Sequence, residues 1–319
     1  MDKKKVYAVF SVMVVGLLAI SGFVIYSGIN VHPSISMFGT NHNSAILASN
    51  LHHYSKFPKA SVTSSTYVLL VHGYNIENTT ESDIWYQGVN MEQQIANAGY
   101  IVGVVSYYGE FTVNYSNGYK YTNNSFDGTI DTPIEQIAAA LADAIYSISA
   151  NENITLDIIA HSMGGLVVLY MLENYVFPNV NLQNFITLGT PFNGSYLAKI
   201  ASFISIKYSG YQAEELSPGS AFLTELQTNV DNFTSAYPNT VFEVYIGTFD
   251  PWWGGYVFNS QNDGAVSYNS ATYLGFSYVY EYPVLHCPTL DHLVDHGISY
   301  FEDQNIVNGI LLNLSGTNY

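Results

Sequence analysis

The sequence predicts an α/β fold, a mostly parallel sheet flanked by helices and carrying a small cap, and three observations predict it. Short β-branched and aromatic runs alternate with longer amphipathic ones along most of the chain. A serine flanked by small residues sits where one strand-like run meets a helix-like run. The 319 residues are 48% hydrophobic and 15% aromatic, enough to bury one full core.

Strands are expected at Tyr67 to Val71, Ile101 to Ser106, Ile154 to Ala160, Phe185 to Leu188, Val241 to Ile246 and Tyr278 to Val284. Each is a short apolar run rich in Val, Ile, Tyr or Phe. Helices are expected at Thr132 to Ile148, Gly164 to Tyr175, Ala221 to Val230 and Phe301 to Leu314. Asp131-Thr132-Pro133 supplies a start signal, a capping residue followed by an early proline. Strands that alternate with helices pair in parallel under helices on both faces, and reacting groups then belong at the carboxyl ends of the strands.

Residues 1–30 read as a signal or transmembrane anchor: Lys3 to Lys5 precede the 24 uncharged residues Val6 to Ile29, long enough to cross a bilayer. Residues 31–65, rich in His, Ser and Asn, read as a stalk or linker, and 66–319 as the catalytic domain. This places the domain outside the cell, either membrane-anchored or secreted. Seven Asn-x-Ser/Thr sites, at Asn78, Asn114, Asn123, Asn153, Asn193, Asn232 and Asn313, are compatible with that placement. A monomer is expected.

There are eight lysines, no arginine and 25 acidic residues, for a net charge of −17. Such a chain repels phosphate backbones, which excludes nucleic acid as a partner. Charged residues make up only 10% of the chain, unlike a carboxylate-crowded halophilic surface. The composition suits acid surroundings, where protonating the acids leaves little positive charge to self-repel. The single cysteine, Cys287, forms no intrachain disulfide and reads as a small buried apolar residue.

Ala160-His161-Ser162-Met163-Gly164-Gly165 follows the strand at 154–160 directly and opens a helix. A nucleophile held on so sharp a turn needs small residues two positions to either side, and Ala160 and Gly164 meet that need. Val68 to Val71 lead into His72-Gly73-Tyr74-Asn75, a loop able to aim a backbone amide at the same site. The oxyanion donors are therefore assigned to Tyr74 and Met163. His72 precedes the serine, against the order nucleophile, acid, base, so His72 and His161 read as satisfied structural histidines. Asp263, in Asn262-Asp263-Gly264, is the candidate acid, with Asp250 as runner-up. Three histidines follow. His292, between Asp291 and Leu293, is favoured as the base because it lies after the last strand and ahead of the last helix, with His286 and His296 as alternatives. The spacing of Cys287, Asp291, Asp295 and these histidines matches no zinc pattern, and neither a metal nor a cofactor is expected.

These motifs resemble the secreted bacterial and archaeal lipases and esterases of the α/β-hydrolase superfamily. Further matches are Leu188-Gly189-Thr190-Pro191-Phe192-Asn193-Gly194-Ser195 and Glu215-Leu216-Ser217-Pro218-Gly219-Ser220-Ala221-Phe222-Leu223, so that the likeness spans Tyr67 to Leu293. Alanine replaces the first glycine of the serine turn, and Phe192 stands where many relatives carry histidine. The resemblance implies a serine-dependent hydrolase of esters or lipids, with Ser162, Asp263 and His292 as the triad. Some relatives bind calcium near the catalytic histidine, but Asp295 lacks that spacing and the site is not carried over. Tyr196 to Glu214 reads equally as an apolar cap over an acyl pocket or as an amphipathic helix on the core. Transfer of the acyl group to another alcohol uses the same triad, whereas a binding protein on this scaffold predicts a broken one.

Overall fold

The computed structural model describes residues 66–74, 81–203, 210–251, 258, 260–276, 278–288 and 297–316. The anchor and stalk expected over residues 1–65 lie outside them, and among the described residues no helix is long and apolar enough to cross a membrane.

Eight strands form one sheet: β1 (Thr66–Val71), β2 (Ile101–Ser106), β3 (Gly109–Tyr115), β4 (Lys120–Gly128), β5 (Ile154–His161), β6 (Val180–Leu188), β7 (Val241–Gly247) and β8 (Tyr278–Tyr282). Their order is β4-β3-β2-β1-β5-β6-β7-β8. The six strands from β2 to β8 in that order pair in parallel, and β3 runs antiparallel to both of its neighbours. This is the α/β-hydrolase architecture that the serine turn and strand alternation predicted.

Strand periodicity explains why the sheet is covered on both faces. Along β1, Leu69 and Val71 join one core cluster while Val68 and Leu70 join the other, and all four are fully buried. The first face packs under α2 (Ile134–Ser149), α3 (Met163–Asn174) and α6 (Ala221–Ala236). The second carries α1 (Met91–Asn97) and α8 (Gln304–Leu314), with Trp85 edge-on to Phe301 at 5.3 Å. Three further short helices, α4 (Tyr196–Phe203), α5 (Gly210–Glu215) and α7 (Tyr268–Ala271), lie in the connections before and after α6 and β7.

The β3–β4 hairpin was not anticipated. Its strands carry polar residues such as Glu110, Asn114, Asn123 and Asn124, so no apolar run marks them. The turn signal was present: Gly118 takes φ +87°, and Tyr115 N–H donates to Tyr119 O at 2.9 Å. β6 starts at Val180 rather than at Phe185 because its first half reads Val-Asn-Leu-Gln-Asn. Asn313, counted as a glycosylation site, is 1% exposed and donates to Tyr245 Oη at 2.9 Å and to Glu243, so it cannot accept a glycan in the folded chain.

Candidate active site

The strand order reverses direction at β1: the chain moves outward to β2 on one side and returns to β5 on the other. Crevices open at such a point, at the carboxyl ends of the strands. Ser162 follows β5 there, and the loop at His72 to Tyr74 follows β1.

Ser162 has φ 54° and ψ −127°, a strained conformation for a residue with a side chain. The neighbouring glycines show what the turn requires. A Cβ on Gly164 would lie 2.4 Å from His72 O and 2.6 Å from Val71 O, and one on Gly73 would lie 2.6 Å from Ser162 Cβ. The end of β1 and the serine turn therefore touch backbone to backbone. On the other side, Gly165 abuts Thr190, where a Cβ would meet Oγ1 at 2.1 Å. This contact explains why the Gly-Thr-Pro segment and the serine turn occur together in the sequence.

The imidazole against the serine belongs to His286, which corrects the choice of His292. Its Nε2 lies 2.8 Å from Ser162 Oγ and its Nδ1 2.7 Å from Asp263 Oδ2. His292 and His296 lie outside the described residues, as do Asp291 and Asp295. The physical reason is that Asp263 and His161 hold the backbone of His286 beside the serine turn. β8 ends at Tyr282, and His286 is the first histidine past that end. All three histidines lie after the last strand and ahead of the last helix, so that ground does not distinguish them, and the short step from β8 to His286 is the signal that does.

Both backbone groups of His286 are fixed. Its N–H donates to Asp263 O at 2.9 Å, and its carbonyl accepts from His161 Nε2 at 2.8 Å. His161 is buried and its pKa falls well below the ordinary histidine value, chiefly through desolvation and then through the nearby His286. Neutral His161 thus carries its proton on Nε2 and holds the His286 loop. His72 is also structural: its ring stacks on Tyr107 at 3.8 Å, Nδ1 lies 2.9 Å from Gly73 O, and burial lowers its pKa to about 4.

Asp263 is 1% exposed, and four donors converge on its carboxylate. Oδ1 accepts from Ala265 N–H at 2.9 Å and Val266 N–H at 2.7 Å, while Oδ2 receives His286 and the Tyr300 hydroxyl at 3.2 Å. Asp250 serves a different purpose. Its Oδ1 accepts from Asn262 Nδ2 at 2.7 Å, and its N–H donates to Asn262 O at 2.8 Å, so it braces the residue before Asp263 without reaching the imidazole. Gly189 floors the acid and base: at φ +57°, a Cβ there would lie 2.7 Å from Asp263 Oδ2 and 3.0 Å from His286 Nδ1. Neither Gly189 nor Tyr300 was assigned a role from the sequence.

Residues 67–227 match the family model described as "Putative serine esterase (DUF676)", which is half of the chain. The chain belongs to this family. The match takes in Ser162 and the loop after β1 and stops short of Asp263 and His286. Among solved structures, the chain is similar to the Bacillus licheniformis lipase BlEst2 in its propeptide form, at 19% identity and TM-score 0.48, over 79% of this chain and 50% of that one. It thus spans half the length of that protein, but 93% of its mature form at TM-score 0.46. The metagenomic carboxyl esterase MGS0156 is similar at 15% identity and TM-score 0.46, over 83% of this chain and 80% of that one. The Legionella pneumophila phospholipase PlaB shares 18% identity at TM-score 0.46, over 65% of this chain and 45% of that one. No curated protein sequence matches the chain.

Proposed function

We propose that the protein is a serine carboxylic ester hydrolase in which Ser162 is the nucleophile, His286 the general base and Asp263 the group that orients it. The pair of hydrogen bonds at His286, 2.8 Å to Ser162 Oγ and 2.7 Å to Asp263 Oδ2, carries the reading. Asp263 selects the tautomer with the proton on Nδ1, which leaves Nε2 free to take the serine proton.

Ser162 Oγ attacks the ester carbonyl as its proton passes to His286 Nε2. The oxygen of the tetrahedral intermediate receives the amides of Tyr74 and Met163. Two features support that assignment: Met163 is the first residue of α3, and Tyr74 follows the glycine that lies against Ser162 Cβ. His286 returns the proton to the departing alkoxide, and the acyl group stays on Ser162. Water then gives a proton to His286 and attacks the acyl carbon, which releases the acid and restores the serine.

The substrate is an ester or lipid met outside the cytoplasm. The basic cluster Lys3 to Lys5 and the uncharged stretch behind it support that placement, and so does a membrane contact through the same segment. A fluorophosphonate probe tests the chemistry. It is expected to label the wild type and to leave Ser162→Ala unlabelled with its melting temperature preserved; labelling of both removes Ser162 as the nucleophile. Hydrolysis of p-nitrophenyl esters of increasing acyl length then separates lipase from carboxylesterase.

A further inference from the structure

Among the described residues around Asp263 is a polar group with no part in the reaction, the hydroxyl of Tyr300. Tyr300 is fully buried, yet its hydroxyl reaches the oxygen of Asp263 that also receives His286. The segment that carries it is fastened beside the base: Leu285 N–H donates to Ile298 O at 2.7 Å, and Tyr300 N–H donates back to Leu285 O at 3.2 Å. At the far end of the ring the hydroxyl accepts from Gly247 N–H at the end of β7. Its single proton then has two possible acceptors, Asp263 Oδ2 at 3.2 Å and Tyr245 O at 3.4 Å, and the charged oxygen is both nearer and stronger. Cβ atoms built on Gly189 and Gly247 would approach the hydroxyl at 3.0 Å and 3.1 Å, so both positions are glycine where it sits.

We propose that Tyr300 is a positioning residue for the acid–base pair, fixing Oδ2 of Asp263 toward His286 by donating the hydroxyl proton while Gly247 holds the oxygen. The inference rests on Ser162, His286 and Asp263 acting as described above. Tyr300 touches no reacting atom, so its effect passes through Asp263. Burial, and after it the Asp263 charge, pushes the phenol well above its ordinary value, which keeps the proton present throughout the working range of the enzyme.

The hydroxyl also draws charge away from the carboxylate. Removing it leaves more negative charge on Oδ2 facing His286 and favours the protonated imidazole. Among the described residues the other groups facing that ring are Ser162 Oγ and the neutral ring of His161, its centroid 4.6 Å away, and the substitution alters neither, so the shift is read through Asp263. Tyr300→Phe is therefore expected to show two linked effects. The plateau rate of fluorophosphonate labelling falls about tenfold through lost orientation of the base. The acid limb of the labelling profile moves to higher pH by about half a unit.

The experiment measures labelling rate against pH for the wild type, Tyr300→Phe, Tyr300→Met and Leu311→Ala, with a melting temperature for each. Both Tyr300 variants lack the hydroxyl and should show the same shift of the limb, whatever their stabilities. Leu311→Ala, in the core cluster on the same face of the sheet but with no contact to Asp263, should lower the melting temperature and leave the limb in place. A limb in Tyr300→Phe that coincides with the wild type overturns the proposal. So does failure of both Tyr300 variants to fold, which would make the hydroxyl a purely structural group. Absence of labelling in the wild type overturns the reading of Ser162 itself, and the role of Tyr300 falls with it.

Discussion

Replacing Gly189 by alanine is a small change with two separable costs. The first is local to the backbone: at φ +57° an alanine loses roughly 1–2 kcal/mol relative to glycine. For a domain of this size that lowers the melting temperature by roughly 2–8 °C. The second falls on the site. The new Cβ lies 2.7 Å from Asp263 Oδ2, and ordinary contact begins at 3.4 Å, so the carboxylate or the backbone must retreat by about 0.7 Å. It also meets His286 Nδ1 and Tyr300 Oη, each at 3.0 Å, so no direction of escape spares the pair. Misplacement on this scale costs about ten- to a hundredfold in rate. The assay is kcat/KM on p-nitrophenyl acetate together with a thermal melt, with Gly275→Ala as the control. Gly275 has φ +72° and nothing within 4 Å of an added Cβ. The control should lose comparable stability and no activity. Wild-type kcat/KM in Gly189→Ala, or an equal loss in Gly275→Ala, refutes the idea that Gly189 is kept small for the acid and base.

Two further outcomes follow from strain and burial. Ser162→Gly should abolish hydrolysis and raise stability by about 1 kcal/mol over Ser162→Ala, since only glycine relieves φ 54°; equal melting temperatures for the two variants would mean the turn stores no strain. Acid should stabilise the fold. Asp157, fully buried with Oδ2 unpartnered, is raised to about 7 by burial, against two hydrogen bonds from Asn184 that act the other way. Glu173 is raised to about 8 by burial and then Glu225, and Glu215 to about 8 by burial and then the neighbouring carboxyl of Glu135. In the unfolded chain such groups titrate near about 4. The folded state therefore holds extra protons between about pH 4 and 8, and stability must fall as pH rises through that window. Asp157 alone makes stability fall with rising pH up to about pH 7. Urea midpoints should drop from about pH 5 to about pH 8, and a rising midpoint would contradict the neutral state of these carboxyls.

The sequence carried the sheet wherever a strand is buried on both faces. β1, β2, β5 and β7 are apolar for nearly their whole length, and their bounds differ from expectation by at most a residue at each end. It hid β3 and β4, whose exposed polar residues leave no apolar run, and the polar first half of β6. Ser162 and Asp263 were legible because local geometry constrains their neighbours: a strained turn demands Ala160 and Gly164, and Asn262-Asp263-Gly264 marks a turn after β7. The choice among His286, His292 and His296 rested on no such local demand. What selects His286 is tertiary: Asp263 O on its amide, His161 on its carbonyl and Gly189 beneath its ring. Tyr300 was illegible for the same reason, since its partners come from β7 and from the turn that follows it.

The central claim is that His286, held by Asp263, activates Ser162. The most direct measurement compares kcat/KM for p-nitrophenyl acetate in His286→Ala and His292→Ala, each checked for an unchanged melting temperature. His286→Ala should lose on the order of 10⁴-fold or more, while His292→Ala stays within about threefold of the wild type. A dead His292→Ala beside an active His286→Ala would contradict the account.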